Sequence, residues 1–172
     1  QPPDDVTNFD STWTGFKTAY LMLEGDIQHE GYGGYKINDL LELPVKEKLR
    51  EYNPDIVLLL AGTNDIPGTA EGADRRLKTL IDTILASHEG FLIVSTIPPQ
   101  FDAHGNENIG VLLFNSAMVN VVAETRASNQ AIDLADARAL MDERSIHDDG
   151  LHPSEKGHKE IAHAFYNIIT HL

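Results

Sequence analysis

Cysteine is absent from all 172 residues, which excludes disulfides, thiolate metal sites and cysteine nucleophiles together. Basic residues are scarce, with 13 Lys and Arg against 27 Asp and Glu and a formal net charge of −14 at pH 7. That balance argues against nucleic acid and anionic membranes as partners, because counterion release needs clustered Lys and Arg. The few that occur (Lys46, Lys48 and Arg50; Arg75, Arg76 and Lys78) read as solvated helix faces. A neutral or acyl substrate suits such a chain better than a polyanion. No run of eighteen apolar residues exists, so no transmembrane helix is expected. The N-terminus, Gln1-Pro2-Pro3-Asp4-Asp5, has neither a basic n-region nor an apolar h-region, so any signal peptide is expected to be gone already.

What is present suggests one domain over 1–172 with a sizeable core. Asp55–Ala61 and Phe91–Ile97 are nearly continuous apolar runs, as strands buried on both faces should be, and Ala131–Ala135 is a weaker third. Helical stripes lie between and after them: Leu77, Leu80, Ile81, Ile84 and Leu85; Leu113, Phe114, Ala117, Met118, Val121 and Val122; Ile161, Ala164, Phe165, Ile168, Ile169 and Leu172. Upstream, residues 14–24 and 38–51 are expected to be helical, the second interrupted near Pro44. Strands alternating with helices predict an α/β fold, a three-layer αβα sandwich with helices on both faces of a parallel sheet. Ligands of such sheets sit beyond the carboxyl ends of the strands. The first fifty residues hold no convincing strand, so early strands of the sheet look missing.

Two polar clusters fall at that carboxyl edge. Asp149-Gly-Leu-His152-Pro153 precedes the last helix. A carboxylate three residues before a histidine can accept the imidazole Nδ1–H and leave Nε2 free to take a proton. The same letters also suit an ordinary helix start, with Pro153 at its first position and Asp149 near the dipole. Gly62-Thr-Asn64-Asp65 follows the strongest strand. It is either a plain turn or one whose Asn side-chain N–H points at a developing oxyanion. The glycine-rich stretch His29-Glu-Gly-Tyr-Gly-Gly34-Tyr-Lys-Ile37 precedes a helix without a strand before it, so its N–H groups suit an anion but its spacing is not a dinucleotide fingerprint. His147, Asp148, His158 and His163 lie near His152 in no common ligand spacing, and no metal site is assigned.

Together these clusters resemble the SGNH (GDSL-type) hydrolase family of esterases and lipases. Gly31-Tyr-Gly-Gly34 is similar to its second sequence block, Gly62-Thr-Asn64-Asp65 to its third and Asp149-Gly-Leu-His152 to its last, with Ile97-Pro98-Pro99 and Phe114-Asn115 as lesser agreements. The His-Glu-Gly-Tyr spelling resembles acetylxylan-esterase-like members. The resemblance implies a serine esterase acting on small acyl, chiefly acetyl, esters of a small molecule or polysaccharide, without cofactor or metal. It implies His152 as base, Asp149 as its orienting acid, and Gly34 and Asn64 as oxyanion donors. With the absence of free cysteine, it points to a secreted protein.

The family's first block, which carries the nucleophilic serine, does not occur. Leu23-Glu-Gly25-Asp26-Ile27 has the Gly-Asp pair but isoleucine in place of serine, while Phe9-Asp10-Ser11 keeps Asp-Ser without the glycine. Ser11 is therefore the candidate nucleophile. The chain reads as beginning just after the first block and lacking the family's second strand. Two other readings stay open: a degenerate member that binds carbohydrate or protein without hydrolysis, and a nucleotide-binding flavodoxin-like domain.

Overall fold

The computed structural model describes residues 28–66, 72–128 and 131–172. Ser11, the loop read at 1–13 and the helix read at 14–24 lie outside the described residues.

Three strands, β1 (Ile56–Leu59), β2 (Phe91–Ser95) and β3 (Ile132–Ala135), form a parallel sheet in the order β1-β2-β3. The register aligns Val57 with Leu92 and Leu92 with Ile132, and Leu59 with Val94 and Val94 with Leu134. Because side chains alternate along a strand, those rows share one face. Ile56, Leu58, Phe91 and Ile93 share the other.

Both faces are covered by helices. The first packs on α1 (Ile37–Glu42), α2 (Val45–Tyr52), α3 (Ala73–Leu85) and α4 (Ile109–Ser128). The second packs on the short α5 (Ala137–Leu140) and on α6 (Glu155–Ile169). The expected break falls where Leu43 and Pro44 separate α1 from α2. In α3, Ala73, Leu77, Leu80, Ile81 and Ile84 recur at helical spacing and are all buried. Full burial of each Leu or Ile in that stripe contributes ~1.5–3 kcal/mol.

The strands are shorter than their apolar runs. Beyond Ser95 the chain stays buried but leaves the ladder at Ile97-Pro98-Pro99, since proline has no N–H to give. The orphaned Ile97 backbone is satisfied from α4: its N–H donates to Asn115 Oδ1 and its carbonyl accepts from Asn115 Nδ2, both at 2.9 Å. Two expected stripe residues are exposed, and Leu85, Ala117, Ile168 and Ile169 are only partly buried. Leu113 is 65% exposed, because α4 turns Val111, Phe114, Met118 and Val122 inward instead. Leu172 falls past the end of α6 and is exposed.

Candidate active site

Residues 145–154 form a small hairpin ahead of α6. The Ser154 N–H donates to the Ser145 carbonyl and the His147 N–H to the His152 carbonyl, at 2.9 and 2.8 Å. At its tip the Gly150 N–H reaches back to the His147 carbonyl, and Gly150 takes φ +72°. That left-handed conformation is cheap only for glycine. A Cβ there would also lie 2.2 Å from the Phe101 carbonyl oxygen. Asp149 stands at the tip. Its Oδ1 accepts the N–H groups of Leu151 and His152, both at 2.9 Å, and its Oδ2 meets His152 Nδ1 at 2.7 Å. Those bonds from the His152 backbone, the His152 ring and the Leu151 backbone hold the carboxyl well below the usual carboxylate range. His152 Nε2 has no partner among the described residues, and the side chain is 70% exposed. The pair is arranged as an oriented base with one nitrogen open.

The second cluster is built from distant segments. Tyr32-Gly33-Gly34-Tyr35 is a turn closed by the Tyr35 N–H on the Tyr32 carbonyl, with Gly34 at φ +79°. A positive φ at the third turn position is the type II signature, which explains glycine there. The Gly34 N–H has no partner among the described residues. Asn64, in the 3₁₀ turn Thr63–Asp65 after β1, donates from Nδ2 to the Tyr35 carbonyl at 3.1 Å. An amide nitrogen carries two hydrogens, so one remains for a ligand. Gly34 and Asn64 are thus brought together.

Asp65 makes this corner rigid. Its carboxylate is fully buried, accepts the Ile37 N–H at 2.9 Å and pairs with Arg76 at 3.1 Å. Arg76 is therefore a structural partner rather than part of a solvated face. Lys48 corrects the same expectation: it donates to Glu30 at 2.6 Å, beside the glycine loop. The Glu30 carboxylate also accepts the Tyr32 and Tyr52 hydroxyls at 2.6 Å. Partial burial alone would raise that carboxyl, but the Lys48, Tyr32 and Tyr52 hydrogen bonds outweigh it and hold it below its ordinary value.

Gln100 and Phe101, after β2, link the two clusters. Gln100 Nε2 donates to the Thr63 carbonyl at 3.0 Å, and the Phe101 N–H donates to the Gly150 carbonyl at 2.8 Å. Downstream, Glu107 and Arg138 form a two-pronged ion pair at 2.7 and 2.6 Å that anchors the same loop to α5. No local pattern marks Gln100; only the buried Pro98-Pro99 exit before it signals that this stretch has a fixed job.

No serine among the described residues bonds His152. Ser95 Oγ is buried on the Thr96 carbonyl, and Ser87 Oγ donates to the Thr83 carbonyl. Ser154 Oγ donates to the Arg144 carbonyl and accepts the Gly157 N–H as the cap of α6. Among the described residues no three histidine, aspartate or glutamate side chains gather to hold a metal. None of the helices there is long and apolar enough to cross a membrane.

Comparisons with known proteins bear on this arrangement. A multidomain esterase of Ruminococcus flavefaciens is 30% identical over 79% of this chain, and the chain spans about a fifth of that relative's length. A family 3 carbohydrate esterase of Clostridium thermocellum superposes with a TM-score of 0.71 at 26% identity, covering 83% of this chain and 68% of that one. One from Talaromyces cellulolyticus gives 0.73 at 21% identity, over 93% and 87% of the two chains, and attests the fold. The model of the GDSL-like lipase/acylhydrolase family matches residues 5–160, and the chain belongs to that family.

Proposed function

We propose that this chain is a serine esterase that removes small acyl groups, chiefly acetyl, from carbohydrate. The observation that carries the reading is the 2.7 Å contact of His152 Nδ1 with Asp149 Oδ2, which leaves Nε2 open. In the mechanism a serine Oγ, for which Ser11 is the candidate, attacks the ester carbonyl while Nε2 takes its proton. Asp149 keeps the ring in the tautomer with Nδ1–H and stabilises the imidazolium. The Gly34 N–H and the spare Asn64 N–H receive the oxyanion. His152 then protonates the departing sugar hydroxyl, and water repeats the cycle to release the carboxylic acid.

The roles also assign expected costs. Removing one side-chain oxyanion donor, as in Asn64→Ala, lowers turnover about 10²–10³-fold. The decisive experiment is fluorophosphonate labelling with the adduct mapped by peptide mass, and His152→Ala as the control. One labelled serine that requires His152 supports the esterase and names its nucleophile. Folded protein that takes no label overturns it in favour of a binding-only member.

A further inference from the structure

The turn that presents Gly34 also brings two aromatic rings together. Closing Tyr32-Gly33-Gly34-Tyr35 places its first and last residues side by side, and their rings meet at 5.2 Å between centroids with a 31° tilt. Tyr35 is 41% exposed. Tyr32 is less exposed and is fixed, because its hydroxyl donates to Glu30, itself held by Lys48 and Tyr52. In the turn that joins them, a Cβ on Gly33 or Gly34 would meet nothing within 4 Å beyond its own chain neighbours. The pair is therefore preorganised and open to solvent, and Tyr35 adjoins both oxyanion candidates, Gly34 in the chain and Asn64 through the bond to its carbonyl.

We propose that Tyr32 and Tyr35 form a stacking subsite for a pyranose ring of a neutral polysaccharide, seating the sugar next to the ester to be cleaved. The inference rests on the esterase reading for its placement but not for its chemistry. A pyranose has an apolar C–H face and a rim of hydroxyls. A half-exposed tyrosine matches both, an apolar body with a polar tip in water. An acyl chain would call for an enclosed aliphatic lining, whereas the exposed aliphatics Ile109, Leu112 and Leu113 lie on α4. A polyanionic glycan is disfavoured by the net charge of −14. Glu30, the carboxylate nearest the rings, is paired with Lys48 and so does not repel a neutral sugar.

The test uses ester-free β-1,4-xylotetraose and calorimetry, so it does not depend on a working nucleophile. Tyr35→Ala should weaken binding about tenfold, and Tyr35→Phe, which keeps the ring, should stay within about twofold of the parent. Tyr32→Phe, which frees that ring from Glu30, should fall between them. Tyr166→Ala, an exposed tyrosine on α6, serves as the control for any generic loss. Equal affinity in the parent and Tyr35→Ala overturns the subsite, as does absence of binding in a parent that hydrolyses a phenyl acetate. Ring-dependent sugar binding in a chain that takes no fluorophosphonate label keeps the subsite and removes the esterase reading instead. Should Tyr35→Ala melt early, chemical-shift changes at the Tyr32 and Tyr35 rings of the parent on adding the tetrasaccharide decide the matter, and silent rings overturn it.

Discussion

The hairpin that carries Asp149 and His152 and the corner that carries Gly34 and Asn64 lie at one sheet edge, yet they are held by opposite means. In the hairpin every bond that Asp149 makes to orient His152 comes from within three residues, and both side chains are at least half exposed. In the corner the decisive bonds span 28 and 29 residues and depend on a carboxylate with no solvent exposure. An exposed local motif can lose a side chain without leaving a buried charge behind. A buried long-range one cannot, because its partners are stranded away from water. The hairpin should therefore fail in chemistry while the fold survives, and the corner should fail in stability first.

The sharpest break of that contrast is Asp149→Asn. The amide oxygen can still accept the Leu151 and His152 N–H groups, so the melting temperature should hardly move. Its N–H₂ favours the wrong imidazole tautomer, and turnover on an acetyl ester should drop about 10⁴-fold. A large fall in stability with activity retained would reverse the roles given to the two regions. At the corner, Asp65→Ala removes the acceptor of the Ile37 N–H and the partner of Arg76. Urea unfolding should show a loss of about 3 kcal/mol. A loss under about 1 kcal/mol would mean that Arg76 reaches water readily and that the corner is not what fixes Asn64. Between the regions, Gln100→Ala deletes the neutral hydrogen bond to the Thr63 carbonyl, worth about 1 kcal/mol, and a longer one accepted from Asn108 Nδ2 at 3.4 Å. Hydrogen exchange should speed up around residues 62–65 while the hairpin amides hold their rates.

The same contrast explains what could be read from the amino-acid sequence. Asp149 and His152 were legible because the turn that joins them is written in four letters. Strands and helices followed from apolar period, and the break at Pro44 from a single residue. Asn64 and Gly34 could be named as donors through the family resemblance, but their meeting through the Tyr35 carbonyl is a tertiary fact. Asp65, Arg76, Gln100 and Glu30 had no readable role, since each acts on a partner eleven to thirty-seven positions away. Arg76 and Lys48 look like ordinary surface cations until the fold supplies their carboxylates. Leu113 was misplaced because α4 is apolar on more than one side, so its stripe does not define one inward face.

The smallest effect concerns pH. Asp149 titrates below its ordinary value because its charged form accepts two backbone N–H groups and the imidazole. An unfolded aspartate binds its proton near pH 3.9. With the folded value lower, the unfolded state binds more protons in that range, so the stabilising contribution is complete above about pH 4 and disappears as pH falls through the folded value. Neutral-pH activity therefore owes nothing to this titration, and any loss on mild acidification belongs to other groups. Carboxyl carbon shifts followed by NMR should place the Asp149 midpoint below those of the exposed aspartates. In His152→Ala the imidazole bond goes but the two backbone donors stay, so the midpoint should rise only part of the way. A full return to the ordinary value would mean that the ring holds the carboxylate alone, and the hairpin would then be less self-contained than its backbone bonds indicate.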